Sequence, residues 1–155
     1  MLFRSVTVLS DGAGGADDDI TTFEMVFDIT AVGGDVYVGD TSAGTSVAVG
    51  TGAATDAIVY RVTDSGTATT DDLADEVSAT YGNGVTDSTD NILITDGATS
   101  RVTLTVQNTA NDADDDGIYR MFLDGIYWGI ADDTTYEYVY KYNLDGFKTS
   151  SISAN

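Results

Sequence analysis

The chain has 155 residues, of which 26 are acidic and six are basic, so its formal net charge at pH 7 is −20. It contains no cysteine and no histidine. Disulfides, thiolate or imidazole metal sites, and catalysis by Ser-His-Asp or Cys-His systems are therefore excluded. A surface this negative repels phosphate backbones and anionic lipids, so we expect no nucleic-acid partner. We also expect no membrane insertion, because no apolar run approaches about 20 residues.

Alternation of apolar and polar residues predicts strands along most of the chain. The clearest strand is 20–32, in which Phe23, Met25 and Phe27 share one face. Gly33-Gly34 and the apolar run 35–39 follow, which predicts a hairpin. Residues 71–80 fit a helical turn, and an extended segment around 77–81 is the equal alternative. Further strands are predicted at 6–9, 45–49, 57–63, 91–95, 101–106, 117–130 and 135–144, with a loop at 10–19 and a bulge or tight turn at Asp124-Gly125.

Many short strands joined by Gly- and Asp-rich turns, with almost no helix, predict an all-β fold. The expected architecture is an antiparallel β-sandwich with immunoglobulin-like, Greek-key connections, and a small β-barrel is the second choice. We expect residues 1–155 to form a single domain. The Thr-, Ser-, Gly- and Asp-rich composition is typical of extracellular proteins, yet no signal peptide precedes it. We therefore expect a fragment of a longer exported protein, with residues 1–5 as a candidate non-native extension.

Three segments carry a resemblance to a known module: FEMVFDITAVGGDVYVG, DGIYRMFLDGIYWG and YKYNLDGFKTSSISAN. They resemble a β-sandwich module in surface proteins of candidate-phylum bacteria, in which it is often combined with a peptidoglycan-binding domain. The resemblance covers most of the chain from Phe23 to Asn155. It implies an exported structural or adhesive module at the cell surface, and it implies no catalytic residue.

A candidate metal site lies between the predicted strands 101–106 and 117–130. Asp112, Asp114 and Asp116 precede Gly117, and carboxylates at alternate loop positions can converge on calcium. The carbonyl of Ile118 is a further candidate ligand. An EF-hand is excluded, because its twelfth position is Leu123 and flanking helices are absent. Ca²⁺ bound at a β-hairpin loop is one interpretation, and a solvated acidic turn, or a generally acidic surface of halophilic type, is the other.

Aromatic residues near the C-terminus form a second candidate site. Tyr136, Tyr138, Tyr140 and Tyr142 alternate along one predicted strand. Three interpretations stay open: a platform on which sugars stack, a buried inter-sheet face, or an oligomer interface. The candidate ligand-binding residues are Tyr127, Trp128, Tyr136, Tyr138 and Tyr140.

The leading functional hypothesis is a non-enzymatic, extracellular structural or adhesive module, stabilised by calcium if the acidic loop binds it. Expected partners are a cell-envelope or surface polymer, or other domains of the same chain. We expect no enzyme, because no nucleophile elbow or phosphate-binding loop occurs in the sequence. The alternatives are a carbohydrate-binding module, and a virion or filament subunit in which FKTSSISAN pairs with a neighbouring molecule.

Overall fold

In the computed structural model, the described residues are 2–11, 19–39, 49–50, 57–64, 67–68, 76–82, 85–88, 91–110, 117–133 and 136–154. Thirteen strands and no helix occur among them. Accordingly, no helix within these ranges could cross a membrane. In chain order the strands are β1 (Leu2–Asp11), β2 (Asp19–Thr30), β3 (Val36–Gly39), β4 (Val49–Gly50), β5 (Ile58–Asp64), β6 (Thr67–Ala68), β7 (Glu76–Tyr81), β8 (Val85–Asp87), β9 (Asn91–Ile94), β10 (Thr99–Ala110), β11 (Gly117–Gly129), β12 (Tyr138–Tyr140) and β13 (Ile152–Ala154).

The strands form two sheets. The first has the order β1-β2-β10-β7, and the second has the order β4-β5-β11-β3-β9-β8, with β12 and β13 also paired to β11 and β6 to β5. Among the described pairs only β4 and β5 run parallel, over two residues. The two sheets pack against each other around one apolar core. The predicted all-β antiparallel sandwich is thus confirmed, whereas the immunoglobulin-like Greek-key connection stays a prediction.

Period-two alternation accounts for the core, because one face of each long strand is apolar. Phe23, Met25 and Phe27 on β2 are fully buried, as are the aligned side chains of β10. The residues of β10 that complete the first sheet's contribution are Val102, Leu104 and Val106. The second sheet contributes buried residues from β5 and β11: Ile58, Tyr60, Val62, Tyr119, Met121 and Leu123. Burial of each large apolar side chain stabilises the fold by about 1.5–3 kcal/mol.

The predicted hairpin of β2 and β3 is wrong. β2 is paired along one edge with β1 and along the other with β10, so it has no edge left for β3. Residues 31–35 instead cross to the second sheet, where β3 pairs with β9 and β11. Gly33 turns this crossing with a φ of +85°, a conformation that glycine adopts without a Cβ clash.

The hairpin predicted for the strands that flank the acidic loop is also wrong. β10 lies in the first sheet between β2 and β7, whereas β11 lies in the second sheet. Because both edges of β10 are already paired, β11 cannot pair with it. The strands on either side of the acidic stretch therefore belong to different sheets.

Several local predictions can be compared directly with the strands. The bulge predicted at Asp124-Gly125 is confirmed, because the register of β11 against β5 shifts between Leu123 and Gly125. The extended interpretation holds for residues 76–81, and the helical one is wrong there. The C-terminal strand is shorter than 135–144, ending well before Asn143, whose φ of +58° is incompatible with a strand. The loop predicted at 10–19 is wrong at residues 10–11 and 19, which belong to β1 and β2. The rest of that loop, residues 12–18, and residues 45–48 of the strand predicted at 45–49 lie outside the described residues.

The C-terminal segment closes the open side of β11. Phe147 packs edge-to-face on Phe27, with ring centroids 6.4 Å apart, and its carbonyl accepts the Leu123 N–H at 2.9 Å. Thr149 Oγ1 accepts the Met121 N–H at 3.0 Å. β13 then pairs with the start of β11. The segment proposed to pair with a neighbouring molecule in a filament is therefore paired within its own chain.

Candidate functional site

The bulge in β11 decides which aromatic side chains face the core. Before the bulge, Met121 and Leu123 point inward and are buried. Asp124 is the extra residue of the bulge and has no partner on β5. Odd-numbered residues therefore face the core before the bulge, and even-numbered residues face it afterwards. Ile126 and Trp128 therefore lie on the inner face, and Tyr127 lies on the outer face.

The inner face of the second sheet continues from β11 onto β12. Tyr140 is directly opposite Ile126, and Tyr138 is directly opposite Trp128, so each pair shares a face. The Trp128 and Tyr138 rings stack with centroids 4.5 Å apart and an interplanar angle of 24°. On β12 this face is open to solvent, because Tyr138 is 44% exposed and Tyr140 is 39% exposed.

A cavity of about 230 Å³ opens beside this stack, and we call it the aromatic pocket. Trp128 and Tyr140 form its aromatic wall. The other lining side chains are five aliphatic groups and one hydroxyl, from the end of β2, the 31–35 crossing, β3 and β11: Ile29, Val32, Val36, Val38, Ile126 and Thr30. Thr30 Oγ1 is hydrogen-bonded to Thr99 Oγ1 at 2.8 Å. The lining is consequently mostly apolar.

Two carboxylates fix the crossing segment that forms one lip of the pocket. Asp96 Oδ1 accepts the Gly33 N–H at 2.8 Å, and Asp35 Oδ1 accepts the Asp96 N–H at 2.9 Å. Both acids are exposed, and within the described part of the chain neither forms an ion pair. They place negative charge beside Val32 and Val36, which line the pocket.

Tyr136 and Gly39 fasten β12 to β3. Gly39 is buried, and a Cβ added there would coincide with the Tyr136 hydroxyl and lie 3.0 Å from its Cε1. The tyrosine ring therefore lies directly on the glycine backbone. On the outer face, Val139 Cγ2 lies 3.5 Å from the position that a Cβ on Gly125 would take. Gly39 thus lets Tyr136 pack closely on β3, whereas a Cβ at Gly125 would make only an ordinary van der Waals contact with Val139.

The structure brings together three of the five predicted ligand-binding residues. Trp128, Tyr138 and Tyr140 share the inner face at the pocket. Tyr127 lies on the opposite face, paired with Val139, and Tyr136 serves as the contact with Gly39. The interpretation of the tyrosines as a buried inter-sheet face is wrong for Tyr138, Tyr140 and Tyr142, the last of which is 71% exposed.

The predicted metal site falls largely outside the described residues, which include none of Asp112, Asp114 and Asp116. Ile118 lies at the start of β11, opposite Ser153, with its side chain 54% exposed. In the described ranges, no group of three or more Asp, Glu, His or Cys side chains could hold a metal ion. Calcium binding therefore stays a prediction.

The aliphatic half of the pocket was missed by reasoning from the sequence. Its residues come from two distant stretches, 29–38 and Ile126, and no motif connects them. The predicted bulge at Asp124-Gly125 could have identified the aromatic wall, because the extra residue turns Trp128 rather than Tyr127 toward the core. Comparisons with protein-family models, with curated proteins and with solved structures found no match.

Proposed function

We propose that this chain is a non-enzymatic, extracellular structural or adhesive module that binds its partner at a cell surface through the aromatic pocket. The observation that carries the proposal is the open inner face at β12, where Trp128, Tyr138 and Tyr140 border an apolar cavity. Concave apolar sites flanked by exposed aromatic side chains are typical of binding sites. The resemblance to surface-protein modules supports the same setting.

The rigidity of the pocket supports a binding role. Its walls come from paired strands, with Val38 opposite Trp128 and Ile126 opposite Tyr140. Binding to a site that is already formed costs little ordering entropy. The proposed partners are a cell-envelope or surface polymer, or another domain of the same chain. We further propose that calcium, if bound at residues 112–116, stabilises the module without contributing to this pocket.

A carbohydrate-binding module is the second candidate, favoured by the exposed rings of Tyr138 and Tyr142 and by the Trp128–Tyr138 stack. Sugars stack on aromatic faces, but they also need polar groups that fix their hydroxyls. Two of the lining side chains, Thr30 and Tyr140, carry a hydroxyl, and that of Thr30 is hydrogen-bonded to Thr99. This balance favours an apolar group over a sugar in the pocket itself.

Co-sedimentation with isolated bacterial cell envelopes tests the proposal. We expect the wild-type protein to sediment with them, Tyr140→Ala to lose most of this binding, and Tyr142→Ala to keep it, because Tyr142 does not line the pocket. Treating the envelopes with protease or with muramidase shows whether the partner is protein or polysaccharide. Equal binding by Tyr140→Ala and wild type, or no binding by either, would refute the proposal.

A further inference from the structure

We infer that the aromatic pocket accepts an apolar side chain from a basic segment of a partner protein. This inference rests on the function proposed above and names the chemistry of the partner at the same site. Three properties of the described residues support it: the apolar lining of the pocket, the apolar surface beside it, and the charge at its lip.

The lining selects an apolar group of side-chain size. An apolar cavity of about 150 Å³ accepts a benzene ring, and this pocket measures about 230 Å³. A leucine or phenylalanine side chain therefore fits. A charged or strongly polar group does not, because the aliphatic walls cannot replace its hydrogen bonds to water.

Apolar surface continues beyond the pocket, which indicates an extended segment rather than a small isolated molecule. Val32 at the lip is 85% exposed, and Ile130, just after β11, is 59% exposed. A segment with one anchoring side chain and adjacent backbone can cover such flanking surface.

The charge indicates a basic segment. Asp35 and Asp96 lie at the lip, in a chain with a net charge of −20. Among the described residues, two basic side chains already pair with acids: Arg61 Nε lies 3.0 Å from Asp124 Oδ2, and Arg101 Nε lies 3.2 Å from Asp28 Oδ1. An acidic partner would be repelled, whereas lysine or arginine beside the anchoring residue would face the two lip carboxylates.

The single tryptophan, Trp128, is a direct reporter because it forms the pocket wall. We would titrate the full chain with an acetylated and amidated Gly-Lys-Leu-Lys-Gly peptide and follow indole fluorescence and the indole N–H resonance. Three matched peptides serve as comparisons, with Lys-Gly-Lys, Glu-Leu-Glu or Gly-Leu-Gly at the centre. Only the Lys-Leu-Lys peptide should saturate in the millimolar range or below, and Tyr140→Ala should weaken it while Tyr142→Ala does not.

Charge-neutral variants test the role of the lip. The double variant Asp35→Asn/Asp96→Asn keeps an oxygen that can accept each backbone N–H. Its affinity for the Lys-Leu-Lys peptide should be about two- to thirtyfold lower than that of the wild type, as expected for the loss of two exposed ion pairs. Asp145→Asn, at another exposed position, is the matched control. Binding should also weaken between about 0.01 M and about 1 M salt, as the Debye length falls from about 30 Å to about 3 Å.

Equal affinity for the Lys-Leu-Lys and Gly-Leu-Gly peptides would overturn the basic character of the partner. Equal affinity for Lys-Leu-Lys and Lys-Gly-Lys would overturn the anchoring side chain. If no peptide binds while envelope binding still depends on Tyr140, this inference fails and the proposed function stands. If Tyr140→Ala keeps full envelope binding, the proposed function itself fails.

Discussion

Gly39 should be intolerant of any side chain, because the Tyr136 ring occupies the space where a Cβ would lie. In Gly39→Ala the new methyl group must displace the end of a rigid aromatic side chain, together with the contact that fastens β12 to β3. The backbone itself does not oppose alanine, since the positive-φ glycines in the described ranges are Gly33 and Gly97. The clash with Tyr136 is therefore the whole penalty.

The size of the effect follows from two opposing contributions. Overpacking of this kind costs about 1–3 kcal/mol, whereas replacing a strand glycine by alanine stabilises by about 0.5–1 kcal/mol. Gly39→Ala should thus lower the free energy of unfolding by up to about 2.5 kcal/mol. In a Tyr136→Ala background the clash is gone, so the same change should be neutral or stabilising by about 0.5 kcal/mol.

Urea unfolding followed by Trp128 fluorescence measures all four members of this double-mutant cycle. Gly146→Ala is the control, because no atom lies within 4 Å of its added Cβ. The change in the free energy of unfolding caused by Gly39→Ala should differ by about 1–3 kcal/mol between the wild-type and the Tyr136→Ala backgrounds. The same cost in both would refute the contact as the cause.

Three further predictions concern the stability of the fold. Arg101→Ala should destabilise the fold by about 1–3 kcal/mol, because it removes the cation beside the Asp28 carboxylate, which is only 11% exposed. Asp124→Asn should cost less than about 1 kcal/mol, because the Arg61–Asp124 pair is exposed. Urea unfolding of both variants checks this prediction, and a larger cost for Asp124→Asn would contradict it. Phe147→Ala should lower the melting temperature by about 4–12 °C through loss of its packing on Phe27, and an unchanged thermal melt would count against that contact. Millimolar calcium should raise the melting temperature by several degrees in the wild type and not in the variant with Asp112, Asp114 and Asp116 changed to Asn, whereas an equal rise with sodium chloride would show charge screening only.

The sequence predicts which residues face inward, because that property depends on local alternation. The inward set on β2 (Phe23, Met25 and Phe27) was correct, and so was the bulge at Asp124-Gly125. Sheet membership could not be predicted in the same way. Whether β2 pairs with β3 depends on whether β1 and β10 already occupy its edges, and β10 lies far away in the chain.

The candidate site was predicted in part for a similar reason. Alternation places Tyr138 and Tyr140 on one face, but it does not show whether another sheet covers that face. Burial was therefore the natural expectation for an aromatic row, and exposure depends on how far the inner face extends beyond the core. The contact of Tyr136 with Gly39 joins distant residues, and neither stretch alone indicates it.

The position of β11 has a consequence for how this protein is made. One edge of β11 is paired with β5 and then with β3, and both of these strands are synthesised before β11. The partners of its other edge are β12, Lys148 and β13, which lie within residues 138–154 and are synthesised after β11. Until that segment has been synthesised, a 13-residue strand presents unpaired backbone groups along one edge, the kind of edge through which nascent chains join one another. Premature termination after Ile130 should therefore yield an aggregating product rather than a shorter soluble domain.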